Sequence, residues 1–291
     1  MKKSAFLCIL GAGALWGCMG LFVRTLQNDF GFGSLEIVCM RLTVAAIAFV
    51  VTALFKKSLS IKLCDVPILF CMGFFGIMLL SVTYFLSMTY SSLAVAAILM
   101  YTAPAFVLAS SVILFKEKLT GGKIVSLILA FAGCVFVSGI SKETKGAGAV
   151  GVIMGILSGI TYGSYSIFGT YALKKYDSYT ASTWAFIFAA LASLAICNVG
   201  EIATKIVSSE TPLKIIALAV GMGIFTAYMP FLLYTIGLSK TLASKAIIVA
   251  SVEPLVAAVL GFVLYGETLT IFSLAGIVLI LSSVVLTYLS R

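Results

Sequence analysis

Residues 243–270 read ASKAIIVASVEPLVAAVLGFVLYGETLT. This is a largely apolar run with one acid, Glu253, and one proline, Pro254, near its middle, ending at the polar turn Gly266-Glu267-Thr268-Leu269-Thr270. A helix crossing a bilayer needs about 20 apolar residues, so the run is long enough to span. Residues 93–120, LAVAAILMYTAPAFVLASSVILFKEKLT, repeat the pattern 150 positions earlier. Pro104 stands for Pro254, and Lys116-Glu117-Lys118-Leu119-Thr120 stands for the closing turn. At a slightly smaller offset, Gly13-x-x-Trp16-Gly17 matches Gly159-x-x-Tyr162-Gly163. The chain is therefore read as two copies of one unit.

The rest of the chain has the same character. Of its 291 residues, 62% are hydrophobic and 10% charged, with mean hydropathy +1.20. A soluble domain carries about 25% charged residues, so no soluble surface can be built from this composition. That excludes a cytosolic enzyme, a secreted disulfide scaffold and a disordered chain. Apolar runs bounded by charged or turn residues predict ten helices, at about 4–24, 34–55, 66–88, 93–115, 122–140, 148–172, 179–199, 213–236, 243–265 and 270–289. The break at Tyr90-Ser91-Ser92 is polar but uncharged, which makes it the weakest of the boundaries. Met1-Lys2-Lys3 followed by Ala5–Ala14 has the outline of a signal peptide. The apolar stretch runs on from Ser4 to Val23, however, so it reads as a first, retained helix.

The predicted fold is an all-α integral membrane protein with ten transmembrane helices, five in residues 1–141 and five in 148–291, joined by a linker at 142–147. Five is odd, so the second copy enters the membrane from the opposite side and the repeats are inverted. Inverted repeats are a hallmark of secondary transporters, whose sites lie near the midplane between the copies. With the N-terminus inside, most loop lysines fall inside, among them Lys56, Lys57, Lys116, Lys118, Lys174, Lys175, Lys240 and Lys245, with Arg291 at the C-terminal end. The outside loops hold Arg24, Lys142, Lys145, Lys205 and Lys214, with most loop acids, including Glu36, Glu143 and Glu267. This bias predicts a multi-pass protein of the plasma (inner) membrane with cytoplasmic N- and C-termini.

The net charge of +9 follows from that orientation and from attraction to membrane lipids, not from nucleic acid. The chain has no histidine, which removes His-based metal sites, Ser-His triads and His relays. Its seven cysteines lack paired spacing and read as small buried residues. Gly11-Ala12-Gly13 has no preceding strand and is no nucleotide loop. No cofactor, metal or enzymatic activity is expected.

Several of these residues together resemble the ten-helix EamA-type transporters of the drug/metabolite transporter superfamily. They are Ala14-Leu15-Trp16-Gly17, Arg41, Ala103-Pro104 and Glu253-Pro254, followed by Glu117-x-Leu119-Thr120 and Glu267-x-Leu269-Thr270. The resemblance covers the whole chain, in two copies. Two positions depart from it: Ala103, where the family often has Glu before the proline, and Tyr162, at the Trp position of the second half. The resemblance implies carriage of small organic solutes, often amino acids or other metabolites, with export common and uptake also occurring.

Glu253 lies about ten residues into its helix. A carboxylate at mid-bilayer costs about 2.5–3.5 kcal/mol on insertion scales, so it must face a cavity or a partner. It is a candidate substrate ligand and the candidate proton-coupling group; a structural carboxylate is the alternative. Arg41 is the other intramembrane charge, with direct substrate contact, an internal ion pair and snorkelling to the headgroups all open. Trp16, Tyr84, Tyr101, Tyr162, Trp184 and Tyr228 lie inside helices, where their polar tips need partners; with Arg41 and Glu253 they are the candidate lining of a substrate cavity. Glycines every four residues, Gly151-Gly155-Gly159-Gly163 and Gly13-Gly17, read as packing faces. Pro230 after Tyr228 suggests a kink or gate. Glu36 and Arg24 are expected to be solvated at the outer interface. Helices 5 and 10 carry few polar interior residues and are expected to pack peripherally or form a homodimer contact. The leading function is an alternating-access carrier for a small-molecule substrate, polar or amphipathic. The alternatives are a carrier of organic cations or amines, using Glu253 and an aromatic cavity, or a passive facilitator or channel.

Overall fold

The structure is a computed structural model that describes residues 1–57, 59–138, 148–266, 268 and 270–289. Among the described residues, ten helices are long and apolar enough to cross a membrane. They are α1 (Lys3–Asn28), α2 (Ser34–Lys56), α3 (Leu63–Tyr90), α4 (Ala94–Phe115), α5 (Gly121–Ser138), α6 (Ala149–Ala172), α7 (Ser178–Ile196), α8 (Pro212–Leu238), α9 (Ala243–Tyr265) and α10 (Ile271–Leu289). The expected linker at 142–147 lies outside the described residues, as do Lys142, Glu143, Lys145, Glu267, Leu269 and Arg291.

The weak boundary at Tyr90-Ser91-Ser92 is real. Ser91 leaves helical geometry, and the Ser92 hydroxyl caps the next helix by accepting from the Val95 N–H at 3.2 Å. All five prolines, Pro67, Pro104, Pro212, Pro230 and Pro254, stand in the first turn of a regular α-helical segment, the position that best tolerates a missing N–H. A short surface helix, Val199–Val207, follows α7. The sequence predicts α7 out to 199 and hides this helix, because the Cys197-Asn198 break is uncharged.

The two copies share irregular features that follow the repeat. Both α4 and α9 break in mid-membrane, into Leu93–Met100 and Ala103–Phe115, and into Ala243–Ala250 and Glu253–Tyr265. Pro104 and Pro254 have no N–H to offer the carbonyls of Met100 and Ala250 four residues back. Glycines of the facing helix press against these breaks. A β-carbon on Gly13 would lie 2.7 Å from the Ala250 oxygen, and one on Gly17 2.7 Å from the Glu253 oxygen. In the other copy, a β-carbon on Gly159 would lie 3.0 Å from the Leu99 oxygen. The repeated Gly-x-x-aromatic-Gly motif therefore seats α1 on the break of α9 and α6 on the break of α4.

Both α3 and α8 contain a wide turn with i→i+5 geometry, Phe74–Leu79 and Ile224–Tyr228. Only α8 has a proline just after it, so Pro230 is not what the irregularity requires. What the two share is a preceding glycine, Gly73 or Gly223, in close contact with α7 or α2 respectively.

Helices α5 and α10 pack on each other at the edge of the bundle. Gly133 and Gly276 meet there, and the Ser283 hydroxyl donates to the Ser126 carbonyl at 2.8 Å. Their outer faces, with Ile128, Val278 and Val285, stay exposed as lipid-facing surface. Lysines and their partners mark one end of the bundle: the Lys175 ammonium and the Tyr176 hydroxyl both bond Asp65, the latter at 2.7 Å. At the opposite end Glu36 is not solvated as expected. It is 8% exposed, and its carboxylate accepts from the Gly33 N–H at 2.6 Å and the Lys205 ammonium at 2.7 Å. That hydrogen bond holds Lys205 above its usual lysine range. Arg24 lies over the Tyr265 ring at 4.6 Å.

Candidate functional site

Glu253 begins the second segment of α9, about 15 Å along the helix at 1.5 Å per residue. The break that frees the backbone also makes this a helix N-terminus, whose dipole favours a carboxylate. Five residues from five other helices surround it closely enough to act on its charge: Arg41 of α2, Tyr84 of α3, Tyr101 of α4, Cys134 of α5 and Tyr162 of α6. Tyr162 directs its hydroxyl at the Glu253 carboxylate as a hydrogen-bond donor. Tyr84, Tyr162 and Glu253 are only partly buried although they lie inside the bundle, so they border a space and not a packed core.

Trp16 joins this group through Tyr162, its ring edge-on at 6.2 Å between centroids. Phe231 at 5.0 Å and Tyr234 at 5.4 Å hold the indole from the other side. Tyr234 is in turn fixed by Ser166, hydroxyl to hydroxyl at 2.6 Å. The indole is thus clamped in one orientation by rings of α6 and α8.

Arg41 does not snorkel. It is 6% exposed, its Nη1 donates to the Met19 sulfur at 2.7 Å, and its Nε–H is buried with no hydrogen-bond partner. Among the described ion pairs, Arg41 and Glu253 do not form a direct salt bridge, although each feels the other's charge. A carboxylate and a guanidinium with an unsatisfied donor therefore face one space from opposite sides of the repeat interface.

The structure brings together six of the eight residues expected from sequence: Trp16, Arg41, Tyr84, Tyr101, Tyr162 and Glu253. It leaves out two. Trp184 packs on Phe188 and donates its indole N–H to the Leu59 carbonyl at 3.0 Å, near the lysine-rich end. Tyr228 bonds the Thr52 hydroxyl at 2.7 Å and packs on Phe49. Both belong to the half of the bundle between the site and the lysine-rich end. Cys134 escapes a reading of the sequence, which sets α5 aside as peripheral. Tyr234 escapes it too, although it lies 150 positions after Tyr84 and the repeat points to it.

Comparison with known proteins agrees with this architecture. The EamA-like transporter family model matches residues 3–139 and again 149–289, one match per copy. An uncharacterized transporter of Archaeoglobus fulgidus is 29% identical over 273 residues, covering 94% of this chain and 95% of the relative. The uncharacterized transporter YcxC of Bacillus subtilis is 26% identical over 292 residues, 98% of this chain and 92% of the relative. A solved crystal structure superposes with a TM-score of 0.77 over 99% of both chains at 16% identity, a likeness of fold.

Proposed function

The chain belongs to the EamA-like transporter family, and from that membership we propose that it carries small zwitterionic metabolites, amino acids foremost, by alternating access. One observation carries the reading. Arg41 and Glu253 face a common space without closing on each other, and Arg41 retains a buried donor with no partner. A buried unsatisfied donor costs about 1–3 kcal/mol, more when charged, which a bound carboxylate would relieve. The planar guanidinium suits a carboxylate, and Glu253 with the tyrosine hydroxyls suits an ammonium group.

Ligand-dependent thermal shifts of the purified protein test this. A true ligand at about a hundred times its Kd stabilises by about 2.7 kcal/mol. Amino acids are expected to shift the melt, and their decarboxylated amines and deaminated acids to do so far less. A second reading, an organic-cation carrier, is favoured by the rings around the acid. Equal shifts by amines and amino acids, unaffected by Arg41→Ala, would select it.

We also propose that the lysine-rich end is cytoplasmic, on the strength of the lysine bias, in a plasma membrane. In a cysteine-free background, an impermeant maleimide applied to whole cells is expected to label a cysteine at position 209 and spare one at 57. The reverse pattern would invert the orientation.

A further inference from the structure

Release of a substrate toward the lysine-rich end requires two half-helices to part there: Ala103–Phe115 of α4 and Ala243–Ala250 of α9. These are the halves set free by the mid-membrane breaks. We propose that Glu117, Lys123 and Ser244 form a latch that holds this end shut, and that they are the gating residues of the transport cycle. The proposal rests on the alternating-access reading.

The geometry is specific. One oxygen of Glu117, just past the end of α4, accepts from the Lys123 ammonium of α5 at 2.8 Å and from the Ser244 hydroxyl in the first turn of α9. Three helix ends are tied at a single atom. The Lys123 and Glu117 side chains are 6% and 5% exposed, so water does not screen the bond. All eight residues of Ala243–Ala250 are buried, whereas only Pro254 and Gly261 are buried in Glu253–Tyr265. The half of α9 held by the latch is sealed on every side, and the half beyond Glu253 is not.

The repeat shows why the two ends differ. The positions 150 away from Glu117 and Lys123 are Glu267 and Ser273, and the position 150 before Ser244 is Ala94. The acid is kept, but the lysine becomes a serine and the serine an alanine. Ser273 pairs with the Thr270 hydroxyl of its own helix cap at 3.0 Å. A donor pair that bridges helices at one end is therefore missing from the matching positions at the other. The empty carrier is expected to rest closed at the lysine-rich end, and substrate binding must overcome the latch.

The test uses the full chain without its native cysteines, reconstituted in vesicles. One reporter cysteine replaces Ile248, in the sealed half of α9, and a second replaces Leu255, beyond the break. Impermeant maleimide is applied to each end in turn. Ser244→Ala, and Glu117→Gln combined with Lys123→Met so that no charge is stranded, are expected to raise labelling at 248 about tenfold or more, the worth of one lost charge-assisted hydrogen bond. Labelling at 255 is expected to fall. Ser244→Ala removes only a hydroxyl, so it decides the matter even if the double variant does not assemble. Unchanged rates at both reporters overturn the latch. Exchange of tritiated amino acids by the unlatched and wild-type vesicles is followed in parallel. Absence of exchange in the wild type overturns the carrier reading, and exchange with unchanged labelling overturns the latch alone.

Discussion

Glu253→Gln is expected to abolish transport while leaving the bundle assembled. Removing one partner of a buried charged contact typically costs about 2–5 kcal/mol of binding, a loss of roughly thirtyfold or more. The structure argues that this cost falls on the ligand and not on the fold. Glu253 touches Tyr162, and a glutamine oxygen can still accept from that hydroxyl. Arg41 feels the carboxylate but holds no direct salt bridge to it, so the arginine keeps its contact to Met19. Had the two been locked together, the substitution would strand a buried guanidinium and cost about 3–5 kcal/mol of stability. The expected change is instead below about 1 kcal/mol, a melting shift of a few degrees. Melting and uptake of the same preparation should be measured together. Collapse of the melt would make Arg41 and Glu253 a structural pair, and undiminished uptake would remove Glu253 from the site.

The largest effect on stability is expected from Gly73→Ala. A β-carbon there would lie 2.1 Å from the Ala185 carbonyl oxygen and 2.9 Å from its carbon. Both are backbone atoms of α7, so neither can swing aside as a flexible side chain would. Helix α3 would have to back away from α7 just before its wide turn, Phe74–Leu79, opening the contact along its length. Overpacking of this kind costs about 1–3 kcal/mol, and the rigid backbone partner places Gly73 at or above the top of that range. The gain in helix propensity, about 0.5–1 kcal/mol, does not offset it. Gly20→Ala is the matched comparison, since nothing lies within 4 Å of its added carbon. It is expected to melt at or slightly above the parent temperature. Equal melting of the two variants would show that α3 and α7 do not approach as described.

Much of the architecture is readable from the chain. Apolar length predicts ten spans, and the structure moves most ends by three residues or fewer. The exception is α1, which runs to Asn28 where the apolar run stops near Val23, because its last turns pack Leu26 against Ile37 and Met222 at the bundle end. The paired prolines mark the two broken helices. The glycine spacing predicts tight faces but not their partners. Burial of Glu36 is not readable, because its partner Lys205 lies 169 residues away in a surface helix that no charge pattern announces.

Counting along the chain is enough to show that it lives in lipid, how many times it crosses, that its halves are inverted, and that one acid and one arginine lie inside the membrane. The quantities counted are the length of apolar runs, the odd number per repeat and the identity of interrupting residues. Which interior residues meet is a property of the folded bundle alone. Folding gathers Trp16, Arg41, Tyr84, Tyr101, Tyr162 and Glu253, draws in Cys134 and Tyr234, and sends Trp184 and Tyr228 elsewhere. The physical reason lies in the solvent. A helix in water shows its inward face by its apolar stripe, but a helix in lipid is apolar all round. Its rotation is set by close contacts such as Gly17 against the α9 break and Gly73 against α7, and those exist only once the helices are packed.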